Sequence, residues 1–264
     1  MKKIVDSKYG IVYVLDGNCY LFIEYVVNSH IIVPELILKD YKDKDTRIYY
    51  INMENNNIMS SSVKRFNAKF GYYSLRFEEF LNRNYETNIG KIKKQIEKNM
   101  LDNPNLKQCT INIDEIQKFL DSSLIRNPQF VSDINKISVS SKAIYKGYNT
   151  EQLMRFQNDN MEYFFKKYNI CILINMTDEG LIISSELFSN IFLKNVIVGL
   201  IVPLHPKYGI VMIPKNEKIY FPNNCYILIE DINILHHINQ RIYLDCKRNL
   251  INVIGIKGDL IKLK

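Results

Sequence analysis

The sequence contains no tryptophan, no CxxC pair and no long apolar run. Its cysteines, Cys19, Cys109, Cys171, Cys225 and Cys246, are odd in number and far apart. That spacing excludes a disulfide framework and a zinc ribbon and points to reduced, intracellular thiols. No stretch reaches the ~18 apolar residues of a spanning helix. The start, MKKIVDSKYGIVYV, lacks the apolar core and small-residue cleavage site of a secretory signal. A cytoplasmic protein without a membrane segment is the expectation. Also missing are GxxxxGK[ST], GxGxxG, HExxH and GxSxG. The ATPase, dehydrogenase, zincin and α/β-hydrolase readings thereby lose their main support.

What is present describes a globular chain. Apolar residues make up 47% and charged residues 24% of 264, enough for one large domain or two small ones. The net charge of +7 permits contact with nucleic acid or an acidic partner but falls short of the dense basic footprint of a dedicated nucleic-acid binder.

Along the chain, residues 11–27 hold two β-branched and aromatic runs around Asp16-Gly17-Asn18, a hairpin signal. Arg47–Met53 and Ile58–Val63 predict a second hairpin across Glu54-Asn55-Asn56-Asn57. Between them, a short helix or an extended segment starts at Pro34. From Ser74 the period turns helical: Phe77, Leu81, Tyr85, Ile89, Ile92 and Ile96 recur at spacings of three and four, with Ser74 as N-cap and an end near Met100. A second helix is predicted from near Asp114 to just before Pro128. A loop or hinge over 131–149 and a third helix from Thr150 to Tyr168 follow. Strands are expected at Ile170–Met176, Leu181–Ser184, Val196–Pro203, Gly209–Pro214, Lys218–Phe221 and Cys225–Glu230. A helix over Asp231–Asp245 and a last strand pair around Lys257-Gly258-Asp259 complete the chain. This order predicts an α+β fold: N-terminal β-hairpins, a central helical block, and a C-terminal, mostly antiparallel β region with one late helix. It reads as a single domain over 1–264, divisible into 1–149 and 150–264.

Of the histidines, His236 and His237 are adjacent on a helix and point about 100° apart, so they do not make a chelating i,i+4 pair. His205 lies in the turn PLHP, where the prolines are the structural requirement. His30, in SHIIVPE, has the more suggestive setting. On a continuous α-helix Glu79 and Glu86 fall within about 20° of each other, away from the apolar stripe, with Arg83, Lys93, Lys94 and Glu97 near that solvated face. Gly90 shares the face, and a mid-helix glycine implies close approach by another segment.

These pieces together resemble a bacterial and phage family catalogued as a domain of unknown function, number 4238. The resemblance rests on His30 and Pro34 in HIIVP, Glu79 and Glu86, Arg126 and Pro128 in IRNPQF, Ser184 in LIISSELF, Pro203 and Pro206 in PLHP, and Asn239 in HHINQRIY. It spans about residues 30 to 255. The chain departs from the pattern at Ile31, where the family has Tyr, at Ser185, where it has Asp, and at Leu187, where it has Pro. With that Asp absent, Glu186 would have to supply a carboxylate from the opposite side of a strand.

Two readings of the candidate residues stay open. His30, Glu79, Glu86 and Arg126 could form a catalytic site in which the glutamates and imidazole bind Mg²⁺ or Mn²⁺ and the arginine holds a phosphate, as in a metal-dependent nuclease or related phosphoryl hydrolase. Alternatively, Arg126 reaches the glutamates in a structural ion-pair network capped by His30. The resemblance, the basic balance and the altered Ser-Asp motif favour a cytoplasmic protein of bacterium–phage conflict. It would work by binding a protein or nucleoprotein partner as inhibitor or accessory, with nucleic acid as a further candidate. The alternatives are the nuclease and a toxin–antitoxin component.

Overall fold

Alternating apolar and polar residues pair into four groups of strands in the computed structural model, which describes residues 2–7, 10–14, 20–24, 26–30, 32–66, 68–102, 111–127, 164–193, 196–215 and 225–264. The first is a meander of β1 (Lys2–Ser7), β2 (Gly10–Val14) and β3 (Tyr20–Glu24). Val14 sits opposite Tyr20 across the expected first hairpin, and β1 extends it. Next, β4 (Val26–His30) pairs with β7 (Ala68–Ser74). The expected second hairpin is β5 (Arg47–Asn52) with β6 (Asn57–Ser62), turning through Asn56 at φ 55°. The fold is α+β.

Helices occupy the middle. Pro34, at φ −58°, precedes α1 (Glu35–Leu38), which continues as a 3₁₀ turn over Lys39–Tyr41. Ser74 caps α2 (Leu75–Leu81), its Oγ accepting from the Phe77 N–H at 3.2 Å. The expected single helix is then interrupted by a π-helical turn over Asn82–Glu86 before α3 (Thr87–Asp102). The period contained this break. Twelve residues of α-helix turn through about 1200°, which would leave Ile89 about 120° off the line of Phe77. One residue added in a wide turn removes most of that offset. Phe77, Leu81, Tyr85, Ile89, Ile92 and Ile96 are accordingly all buried. The second expected helix is α4 (Ile113–Arg126), capped near Asp114 by Asn112, whose Oδ1 accepts from Asp114 N at 3.0 Å. The expected loop over 131–149, most of the third helix and the strand at Lys218–Phe221 lie outside the described residues. The stretch Phe164–Lys167 is a 3₁₀ turn.

The C-terminal half supplies the largest sheet, β10-β11-β12-β8-β13, built from β8 (Tyr168–Asn175), β10 (Ser189–Leu193), β11 (Val196–His205), β12 (Tyr208–Pro214) and β13 (Cys225–Ile229). All its pairings are antiparallel except β13 with β8. The strand β10 was not expected. A third group joins β6-β5 to β14 (Val253–Gly255) and β9 (Ile183–Ser184). The late helix is α5 (Ile232–Asn249), capped by Asp231. The last expected strand is instead α6 (Lys257–Leu263). A strand there would need an edge of β14, and β5 and β9 hold both. The helix buries Leu260, while Asp259 Oδ2 accepts from the Gly180 N–H at 3.0 Å. The main apolar core draws on both halves, from Val33, Ile37 and Phe119 to Ile172, Leu204 and Ile254.

Leu250 ends α5 in the left-handed region, φ 57° and ψ 32°, with 66% of its surface exposed. The Ile251 N–H closes the helix end on Cys246 O at 2.9 Å. A side chain in this conformation costs about 1 kcal/mol relative to glycine. Leu250→Gly is therefore expected to stabilise the chain by about 1 kcal/mol, measured as a higher urea midpoint at unchanged m.

Candidate functional site

A cleft of about 710 Å³ opens between α1 with its 3₁₀ turn and the π turn with α3. Glu35, Leu36, Lys39 and Asp40 form one wall; Asn82, Glu86, Thr87, Gly90, Lys91, Lys93, Lys94 and Glu97 form the other. The walls meet at Gly90, where an added Cβ would lie 3.3 Å from Leu36 Cδ2. This is the close approach that a glycine at mid-helix implied.

The π turn decides what faces the cleft. The inserted residue rotates Glu86 by about 100° against Glu79, so the two glutamates do not keep the shared face of a continuous α-helix. Asparagine side chains support the wide turn, with Asn84 Nδ2 donating to Phe80 O at 2.8 Å and Asn88 Nδ2 to Asn84 O at 3.1 Å. Such turns recur at functional sites.

At one end of the cleft Glu86 Oε1 accepts from Arg126 Nη1 at 2.9 Å. Arg126 is 1% exposed and its guanidinium lies 5.8 Å from the centre of the Tyr73 ring. Burial alone would weaken its hold on the proton, but Tyr73, Glu86 and Glu78 outweigh that and raise its pKa. The next residue, Asn127, donates through Nδ2 to Glu186 Oε2 at 3.0 Å. The C-terminal end of α4 thus gathers two carboxylates from distant parts of the chain.

In the middle of the cleft Lys93 pairs with Asp40 and donates to Leu36 O at 3.2 Å. Lys93, expected on the solvated face, is 5% exposed. It follows Ile89 by four residues, so it borders the apolar stripe, and α1 covers it. At the far end Tyr208 Oη donates to Glu97 Oε1 at 2.7 Å, and the His205 ring stacks on Tyr208 with centroids 4.8 Å apart. Burial and the Glu97 carboxylate push the Tyr208 pKa far up, so the phenol stays a donor. His205 Nδ1 accepts from the Lys207 N–H at 3.0 Å. Burial lowers the His205 pKa and keeps the ring neutral. Sequence reasoning placed His205 in a turn set by its prolines; strand pairing brings it to the cleft helix.

Of the candidate residues, the structure brings Glu86 and Arg126 into contact. Glu79 pairs with Arg83 at 3.7 Å. His30 ends β4 opposite Ala68, and its side chain lies outside the described residues. Among the described residues, no three His, Cys, Asp or Glu stand together in a way that would hold a metal ion. His236, on the exposed side of α5, meets Glu179 at 2.8 Å.

Of the remaining residues behind the resemblance, Ser184, Pro206 and Asn239 hold the scaffold, and Pro128 lies outside the described residues. Asn239 Nδ2 donates to Gly180 O at 2.8 Å and its Oδ1 accepts from Ile182 N at 3.1 Å. Pro206 O accepts from Leu181 N at 2.8 Å. Ser184 Oγ accepts from Glu186 N at 3.0 Å. Ser185 and Glu186 lie in a turn rather than a strand, so Glu186 needs no opposite face to reach Asn127. Leu187 there has φ 71°, a conformation closed to the proline expected at that position.

Fold and cleft together define an α+β protein with a charged helical cleft. Residues 30–192 match the sequence profile of the family described as "Protein of unknown function (DUF4238)", and the chain belongs to that family. The matched span includes Glu86, Arg126 and the cleft helices and stops before His205 and Asn239. No curated protein and no solved structure matches the chain. Among the described residues, no helix is long and apolar enough to cross a membrane.

Proposed function

We propose that the chain works by binding, and that the cleft recognises the anionic surface of a nucleic-acid or nucleoprotein partner. One observation carries this reading: every carboxylate of the cleft already has a partner, and among the described residues two of its lysines have no ion-pair partner. Glu35 pairs with Lys39, Asp40 with Lys93, Glu86 with Arg126, and Glu97 accepts from Tyr208. Lys91 and Lys94 are exposed on one face of α3 and make no ion pair among the described residues. Exposed Lys98 continues their row one turn on. The net charge of +7 has the sign that would draw such a partner in. The setting suggested by the family resemblance, conflict between bacteria and phage, is where an inhibitor or accessory of this kind would act.

Fluorescence anisotropy tests the reading with labelled single-stranded RNA, single-stranded DNA, duplex DNA and an acidic peptide across a salt series. The expected result is salt-dependent binding of a nucleic acid that the double variant Lys91→Glu/Lys94→Glu weakens at least tenfold. The slope of log K against log salt should also fall by about two, one per lost phosphate contact. Binding of the peptide alone would reassign the partner to an acidic protein surface. Binding that the double variant leaves unchanged would remove the cleft from the account.

A further inference from the structure

We propose that Cys171 and Cys225 are a modification site outside the cleft, a dithiol that closes reversibly into a disulfide. The sequence separates them by 54 residues, and the sheet places them side by side. Cys171 on β8 and Cys225 on β13 are register partners on neighbouring parallel strands, with Sγ atoms 3.1 Å apart. Adjacent strands lie about 4.8 Å apart, inside the Cα separations that disulfides span. The sulfurs need only about 1 Å of further approach to reach bonding distance, a side-chain adjustment.

The two thiols differ in access, which orders the chemistry. Cys171 is wholly buried, while Cys225, the first residue of β13, is half-buried. With a small-molecule disulfide as oxidant, the Cys225 thiolate attacks one of its sulfurs and releases one small thiol. Cys171 then attacks Cys225 Sγ in the mixed disulfide and releases the second. Two protein thiols are oxidised, one external disulfide is reduced to two thiols, and the two protons leave with them. Cys246 is a poor competitor, because burial pushes its thiol up to about 12. Cys19 and Cys109 lie outside the described residues.

The bond would staple an edge. Among the described residues, β13 is held within its sheet by β8 alone. The residue after Cys225, Tyr226, accepts at its hydroxyl from Asn99 Nδ2 of α3 at 2.9 Å, so a fixed β13 also braces the cleft helix.

The test starts from fully reduced chain treated with oxidised glutathione, quenched with N-ethylmaleimide, and read by intact mass and a non-reducing peptide map. Apart from maleimide or glutathione added at the other three cysteines, the expected product has lost the mass of two hydrogens, carries neither group on Cys171 or Cys225, yields one linked peptide joining that pair, and unfolds at higher urea than the reduced chain. Cys225→Ser should give no linked peptide. A lasting glutathione adduct on Cys225 with Cys171 alkylated would overturn the proposal. So would alkylation of both, or a linked peptide from another pair. The wild-type map decides the matter even if the variant does not fold.

Discussion

Arg126→Leu is expected to destabilise the chain by about 3–5 kcal/mol, because it breaks an ion pair whose cationic partner is buried to 1% exposure. At roughly 2–4 °C per kcal/mol for a chain of this size, the melting temperature should fall by roughly 10 °C. The loss has two sources. Glu86, 22% exposed at its side chain, would keep a partly desolvated charge without its guanidinium. The space against Tyr73 would be refilled by a shorter, differently shaped side chain. Arg126→Leu combined with Glu86→Leu should therefore recover part of the deficit, since the second change removes the stranded carboxylate. Additive losses in the double variant, read from thermal melts, would mean that the pair contributes little beyond packing. Arg126→Lys should rescue poorly, because a point charge does not reproduce the planar fork that donates to Glu86.

Gly199→Ala is expected to cost about 3 kcal/mol, a large effect for one methyl group. Its Cβ would lie 2.4 Å from the Met212 carbonyl oxygen, and backbone cannot yield as a flexible side chain can. Gly199 lies on β11 and Met212 on the neighbouring β12, so relief would require two of the three inner strands of the largest sheet to separate. Gly258→Ala provides the contrast. Nothing lies within 4 Å of a Cβ there, and the residue stands in the first turn of α6. That change should stabilise by about 0.5 kcal/mol through helix propensity. Urea titration of both variants measures the difference; equal midpoints would show that the strands accommodate the methyl.

Periodicity is local, and it placed most elements. The asparagine turn at Asn55-Asn56-Asn57, the Ser74 cap and the apolar stripe from Phe77 to Ile96 all follow from residues within a few positions of one another. The π turn relieves a drift visible in the pattern: three successive spacings of four walk about 120° around an α-helix, and without the inserted residue Glu79 and Glu86 share one face. The segment after Gly255 was not legible. Seven residues with Leu260 and Leu263 suit a short strand or a helix about equally, and only the occupancy of both edges of β14 chose the helix.

The candidate site divides along the same line. Composition and pattern by themselves determined an α+β chain of net positive charge, with a helix whose glycine admits a close neighbour and an arginine at the end of the next helix. Which carboxylate that arginine meets depended on a rotation set by one inserted residue. The burial of Lys93 depended on α1 folding over α3. The joining of Glu97 to Tyr208, and of Cys171 to Cys225, depended on strand order across gaps of 111 and 54 residues. Such contacts follow from how sheets and helices close on a shared core, and no local period encodes them.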